Sequence, residues 1–275
     1  MPPPFRRQAC RGARRDRKTR PLAFNVYLWN IRGDLREHLP RRMDPARPRP
    51  SMRGRDGESA RNIVGTFAMT PDRRPSLALA ADGPALALGR AHEAAGPARR
   101  VFAAVAAGRM AGPVLWIVAG RRPGVPHPEG LRGFLDPRRL VTVHARRPID
   151  GLWATEEALR SGATATVILE TADPPALTPV RRLQLAAEAG AALDGAGPPL
   201  CLILTPEGGS AAAVETRWWI DPLPGWATER RPGGGPARWR FALLRDKAGP
   251  PGAWEVVDLS DDPAAARPRF RRAAA

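Results

Sequence analysis

The residues best placed to do chemistry are few. Glu170 ends the run Thr164–Glu170 (TATVILE), an almost wholly apolar stretch of the kind that forms a strand covered on both faces. A carboxylate there stands at the carboxyl end of a parallel strand, the edge at which open α/β sheets bind ligands. A second concentration lies nearer the C-terminus, where Arg217, Arg238, Arg240, Arg245 and Lys247 alternate with Trp218, Trp219, Trp239 and Phe241. Basic residues beside aromatics suit single-stranded nucleic acid, through phosphate contact and base stacking. The same alternation suits cation–π pairs on a half-buried sheet. Of the remaining reactive types, His127 sits in a Pro/Gly-rich loop with no second ligand at metal spacing, and no metal site is expected. Cys201 lies inside the apolar run Leu200–Thr205 and reads as a small buried residue. With Cys10 the only other cysteine, no disulfide is expected, which suits a reducing cytoplasm.

The elements that must position these residues follow from periodicity. Leu140–His144 is a β-branched run, hence a strand. Ile149–Arg160 carries Ile149, Leu152, Trp153 and Leu159 at helical spacing, predicting a helix whose shared face is apolar, with Ser161-Gly162 closing it. Strand, helix and strand within about thirty residues form a right-handed crossover unit. Val114–Val118 and Leu200–Thr205 read as further buried strands, and Ala85–Leu88 as another. Pro97–Arg109 is predicted helical. So is the segment from Thr178 to Gly190, with Thr178 as N-cap, Pro179 in the first turn and Val180, Leu183 and Ala187 toward the sheet. Arg181, Arg182 and Gln184 are expected on its more exposed side. From about 214 to 258 the strands are short and alternating, which predicts an antiparallel extension on the sheet edge. The fold class is therefore α/β, a mainly parallel sheet flanked by helices.

Charge divides the chain. The net charge is +17 over 275 residues, yet residues 1–68 hold 17 Lys/Arg against 6 Asp/Glu, a net of +11. That segment is rich in Arg and Pro, and its one apolar stretch, Leu22–Ile31, has no continuation. Disorder is expected there, because too little apolar surface can be buried to offset chain entropy. A basic arm on nucleic acid and a targeting peptide are weaker readings than a start placed upstream of a true initiator at Met69. The globular domain then runs from 69 to 260, and 261–275 is expected to be a flexible tail.

The run DPRRLVTVHARRPIDGLWATEEALRSGATATVILE (136–170), with PVLWI (113–117), RRLQLAAEAG (181–190) and RWRFALLRDKAGPPGAW (238–254), resembles the RecA-type recombinase core. It is more closely similar to the ImuA family, RecA-like accessory proteins of bacterial damage-induced mutagenesis. That resemblance implies a RecA-like sheet, with Glu170 in the place of the Walker B acid. It also sets a vestigial phosphate loop at His92, Glu93, Gly96 and Pro97. A working loop would need a glycine-rich turn and a Lys-Ser/Thr pair. Here Gly96-Pro97 runs straight into Ala98-Arg99-Arg100, neither lysine (Lys18, Lys247) is near, and Ala119-Gly120-Arg121 stands where recombinases carry a catalytic Glu. No catalytic residue and no cofactor are therefore expected, and Glu170 by itself reads as a solvated strand end. The family implies a non-catalytic accessory role in SOS translesion mutagenesis. Its implied partners are an ImuB-type polymerase-like protein, an error-prone DnaE-type polymerase and, further, RecA and single-stranded DNA. Arg217, Trp218, Arg238, Trp239, Arg240, Arg245 and Lys247 are the candidate contacts. A SulA-like division inhibitor and a DNA-binding RecA paralogue are the alternatives.

Overall fold

The structure, a computed structural model, describes residues 75–81, 83–120, 124–193, 195–207, 213–224, 237–257 and 268–273, together with the backbone of 25–28. Its strands are β1 (Asn25–Leu28), β2 (Ser76–Ala78), β3 (Ala85–Ala87), β4 (Arg90–Ala95), β5 (Val114–Ala119), β6 (Leu140–Ala145), β7 (Thr166–Thr171), β8 (Leu200–Thr205), β9 (Thr216–Leu223), β10 (Arg238–Asp246), β11 (Gly252–Val257) and β12 (Arg269–Arg272). The helices are α1 (Arg99–Arg109), the single turn α2 (Pro128–Leu131), α3 (Pro148–Arg160) and α4 (Leu177–Ala191).

Ten strands form one sheet in the order β1-β6-β5-β7-β8-β4-β9-β10-β11-β12. From β6 to β9 neighbouring strands run parallel, and β9 to β12 form an antiparallel extension. Strands β2 and β3 make a separate hairpin. The expected fold class is thus the observed one: a mainly parallel sheet with helices on both faces and antiparallel strands at one edge. Every residue of β7 and β8 is buried, which is why their sequences are continuous apolar runs rather than alternating ones.

Two cores lie on opposite faces. On one, α1 packs Phe102, Ala106 and Val105 against Trp116, Ile168, Leu202 and the aromatic side of the extension. On the other, α3 and α4 pack Leu159, Val180, Leu183 and Ala187 against Ile117, Leu169 and Ile203.

The expected crossover joins β6 and β7, parallel strands with β5 between them. Other expectations need correction. The buried face of α3 is Gly151, Thr155, Glu156 and Leu159, whereas Ile149 and Trp153 are 59% and 44% exposed. The helix is turned this way because Gly151 lets its backbone come close to the sheet: a Cβ there would lie 2.4 Å from the Ala119 Cβ. Polar residues follow it inward because Thr155 can donate to the Gly151 carbonyl, at 2.7 Å, and Glu156 can pair with Arg182 of α4, also at 2.7 Å. Gln184 is buried, since its amide donates to the Ala213 carbonyl at 2.8 Å. Helix α4 begins at Leu177, with Ala176 rather than Thr178 as its N-cap.

The segment expected to be disordered contains strand β1, which pairs Asn25–Leu28 antiparallel with β6. Its apolar, β-prone composition and the otherwise open edge of β6 account for the pairing. The rest of 1–68 lies outside the described residues. In the expected tail, β12 pairs Arg269–Arg272 with β11, and Phe270 packs edge-on to Phe241 with centroids 5.6 Å apart. One aromatic residue, isolated in sequence, anchors it.

Helices α3 and α4 meet through glycine. A Cβ on Gly190 would stand 2.0 Å from the Leu159 carbonyl oxygen. Gly190→Ala is expected to part the two helices and cost about 2 kcal/mol, as overpacking does. A urea midpoint equal to that of the parent chain would show that the two helices are not in close contact there.

Candidate functional site

The site is built where β4 hands over to α1. Gly96 adopts φ +97°, and a Cβ there would lie 2.6 Å from the Ile220 carbonyl oxygen. Only glycine fits this turn, because both its backbone conformation and its clearance exclude a side chain. The turn is pinned to β9: the Ala98 N–H donates to the Ile220 carbonyl at 3.1 Å, and the Arg99 N–H to the Gly96 carbonyl at 3.3 Å. Helix α1 therefore starts at once, with two arginines in its first turn.

Both arginines reach Glu170. Arg100 Nε donates to Oε1 at 2.9 Å and to Oε2 at 3.0 Å, and Arg99 donates from a terminal nitrogen to Oε1 at 3.2 Å. Trp116 on β5 adds its indole N–H to Oε2 at 3.2 Å. Arg99 also donates to the Gly96 carbonyl at 3.1 Å, and Arg100 to the Gly124 carbonyl. Glu170 is fully buried. The expectation of a solvated strand end is therefore wrong. Strand β7 runs on to Thr171, so Glu170 lies inside it, level with Val118 and Leu204 on the neighbouring strands. Two cations beside the start of a helix oppose its dipole, and a carboxylate among them restores the balance. Glu170 supplies that anion from within the chain. The Ala98 N–H of this turn is taken by the Ile220 carbonyl, and the acid is enclosed by guanidinium groups.

The other members of the vestigial loop are not in a loop. His92 and Glu93 belong to strand β4 and are fully buried. Only Gly96 and Pro97 lie in the turn. Glu93 accepts from Arg217 Nε at 2.8 Å, across the β4–β9 register. His92 contacts the Ala87 carbonyl through Nε2 at 2.8 Å and Thr216 Oγ1 through Nδ1 at 2.7 Å. A carbonyl can only accept, so Nε2 carries the proton and Nδ1 receives the Thr216 hydroxyl. Trp218 Nε1 then donates to that same oxygen, at 2.7 Å. Burial pushes the His92 imidazolium down to about 4, against the opposing pull of the Ala87 carbonyl and of Glu215 and Asp246. Burial likewise pushes the Cys201 thiol up to about 12.

The basic and aromatic strands separate by face. Thr216, Trp218 and Ile220 alternate inward on β9, and Trp239, Phe241 and Leu243 on β10. Trp218 is fully buried, 5.2 Å from Phe102 and 5.7 Å from Trp254 between ring centroids. Trp239 is half-buried, edge-on to Phe134 at 5.6 Å. Trp218 is thus corrected from a contact residue to core, because its ring packs on Phe102 of α1, and Trp239 lies mainly against the domain, on Phe134. Arg217 is held by Glu93, Arg238 by Glu255 at 2.8 Å, and Lys247 by the Ala213 carbonyl at 3.0 Å and Glu215 at 3.4 Å. Arg240 is exposed between Asp221 and Glu255, its register partners. Arg245 is exposed at the irregularity in β10. These residues do not converge on one pocket. His127 is exposed and caps α2, accepting the Glu129 N–H at 3.3 Å. Among the described residues no group of three His, Cys, Asp or Glu is arranged to hold a metal, and no helix is long and apolar enough to cross a membrane. Neither Arg99 nor Arg100 is among the candidate contacts read from the sequence. Their adjacency right after Gly96-Pro97 was the available signal.

No family model matches the chain. The chain is 36% identical over 156 residues to the protein ImuA of Caulobacter vibrioides, in each of two strains, covering 53% of this chain and 60% of that protein. It therefore spans less than two thirds of those relatives' length. Among solved structures, the RadB recombinase superposes with a TM-score of 0.46 at 12% identity, over 65% of this chain and 90% of that one. SulA from Pseudomonas aeruginosa gives 0.33 at 20% identity, over 42% and 97%. The likeness to ImuA rests on the sequence match, not on these superpositions. Over the matched half of its length the chain is similar to ImuA.

Proposed function

We propose that this protein is a RecA-like accessory factor of damage-induced mutagenesis that works without hydrolysing nucleotide. The process is taken from the ImuA relation. The absence of catalysis rests on one observation, the closure of Glu170 by Arg99, Arg100 and Trp116 beside a turn too short to hold phosphate. An acid whose lone pairs are taken by guanidinium and indole donors is not free to hold a magnesium ion. On this reading the protein acts through its surfaces. It would serve an ImuB-type polymerase-like protein and an error-prone DnaE-type polymerase, with RecA and single-stranded DNA as further partners. The cytoplasm is the compartment such work requires.

The test is damage-induced mutation frequency in a strain deleted for the gene, complemented with 1–275 or with 69–275. Loss on deletion and rescue by either form supports the role; mutagenesis untouched by deletion refutes it. Calorimetric titration with magnesium–ATP is expected to show no saturable binding up to about 1 mM. Micromolar affinity would overturn the non-catalytic part of the reading and leave the process intact.

A further inference from the structure

Away from Glu170, one cleft of 540 Å³ lies between α4 and the ends of β9 and β10, lined among the described residues by Leu177, Arg181, Gln184, Leu185, Ala213 and Lys247. Its size falls within the range of ordinary binding clefts. Leu177, Arg181 and Leu185 follow one another at four-residue spacing, so they form a stripe along a single face of α4. The two leucines on that stripe are exposed, Leu177 by 41% and Leu185 by 63%. A surface helix normally turns such residues inward.

Chemistry at the floor and rim narrows the occupant. Gln184 is 9% exposed, and its Nε2 donates to the Ala213 carbonyl at 2.8 Å. That bond fixes the amide's orientation, because a carbonyl can only accept. Gln184 Oε1 is left buried with no hydrogen-bond partner among the described residues. A buried acceptor without a donor is costly, so it marks a place where a ligand N–H would be welcome. The rim carries Arg181, which is exposed, and Lys247, whose side chain is 40% exposed. No acid is among the described lining residues, although Lys247 also contacts Glu215 at 3.4 Å. An occupant therefore brings an N–H donor, an apolar side chain and negative charge.

We propose that this cleft docks a short acidic segment of a partner protein, with an apolar side chain seated between Leu177 and Leu185 and a peptide N–H on Gln184 Oε1. Carboxylates flanking the apolar residue meet Arg181 and Lys247. Helix faces and clefts commonly take partner peptides in this way, the apolar anchor giving affinity and the charges giving rate and register. The inference goes beyond the mutagenesis reading and does not depend on it.

The full chain should be titrated by fluorescence anisotropy against a fluorescein-labelled peptide alternating leucine with aspartate. The controls are one peptide with serine for leucine and one with lysine for aspartate. Saturable binding to the first peptide alone is expected. Arg181→Glu and Leu185→Asp, both at exposed positions, should each weaken it about tenfold or more. Arg138→Glu, at an exposed position just before β6 and outside the cleft lining, should leave it unchanged. Four outcomes overturn the proposal. They are no binding of the leucine–aspartate peptide, equal binding of the serine peptide, equal loss in Arg138→Glu, and self-association that Leu185→Asp abolishes, which would put a second copy in the cleft.

Discussion

Glu170→Ala is expected to lower stability by about 3–5 kcal/mol, the cost of breaking a buried ion pair from one side. The loss comes from what remains behind. Arg99 and Arg100 would be left facing each other at the start of α1 without a counter-charge, their side chains only 15% and 33% exposed. The Trp116 indole N–H, fully buried, would lose its acceptor as well. Glu170→Gln keeps the shape and an acceptor oxygen, so it should fall between the parent and the alanine variant. Arg100→Ala should cost less than Glu170→Ala, because Arg99 still neutralises the acid. Urea denaturation of the four proteins reads this ranking. A Glu170→Ala midpoint within error of the parent would mean that the carboxylate is hydrated and open, and the site would again be available to a metal-bound phosphate.

Acid should weaken the protein through His92. The neutral ring is held at both nitrogens, and its folded pKa of about 4 lies below the ordinary 6.5. Between these values the unfolded chain binds a proton that the folded chain refuses. Stability therefore falls as pH falls through that window, by about 1.4 kcal/mol per unit, and this contribution levels off below about pH 4. Over the whole window the loss is about 3 kcal/mol. Protonation would also place a second N–H against the Thr216 oxygen that already accepts from Trp218. Carboxylates add their own slope at the acid end, so the measurement is a difference. The denaturation free energy of the parent and of His92→Gln should be followed from pH 7.5 to pH 4.5, where the parent should lose stability more steeply. Parallel curves would show that His92 is hydrated.

How much of this was legible beforehand differs from element to element. The strands β5, β7 and β8 could be read from their apolar runs, because strands covered on both faces have no polar side to show. Alternation marked β9, β10 and β11 as an antiparallel edge, and the resemblance to ImuA stands in the sequence match. The short turn at Gly96 and the absence of a Lys-Ser/Thr pair were plain in the primary structure.

The orientation of α3 was not legible. Hydrophobic spacing favoured Ile149 and Trp153, but the helix is set by how closely Gly151 approaches Ala119, a steric fact about two distant backbones. Nor could spacing choose between the two readings of the Arg/Trp strands, since both have the same alternation. Only the position of α1 decides that Trp218 and Phe241 are core and that the arginines face away.

Residue types and periodicity determined the elements and the fold class, because these depend on contacts within a few residues. Tertiary structure alone decided that Glu170 is closed rather than solvated. Its partners, Arg99 and Arg100, lie about seventy residues away in sequence. Charge pairing across that separation is fixed by strand order, which places β7 beside β5 and under α1, and no local pattern encodes strand order.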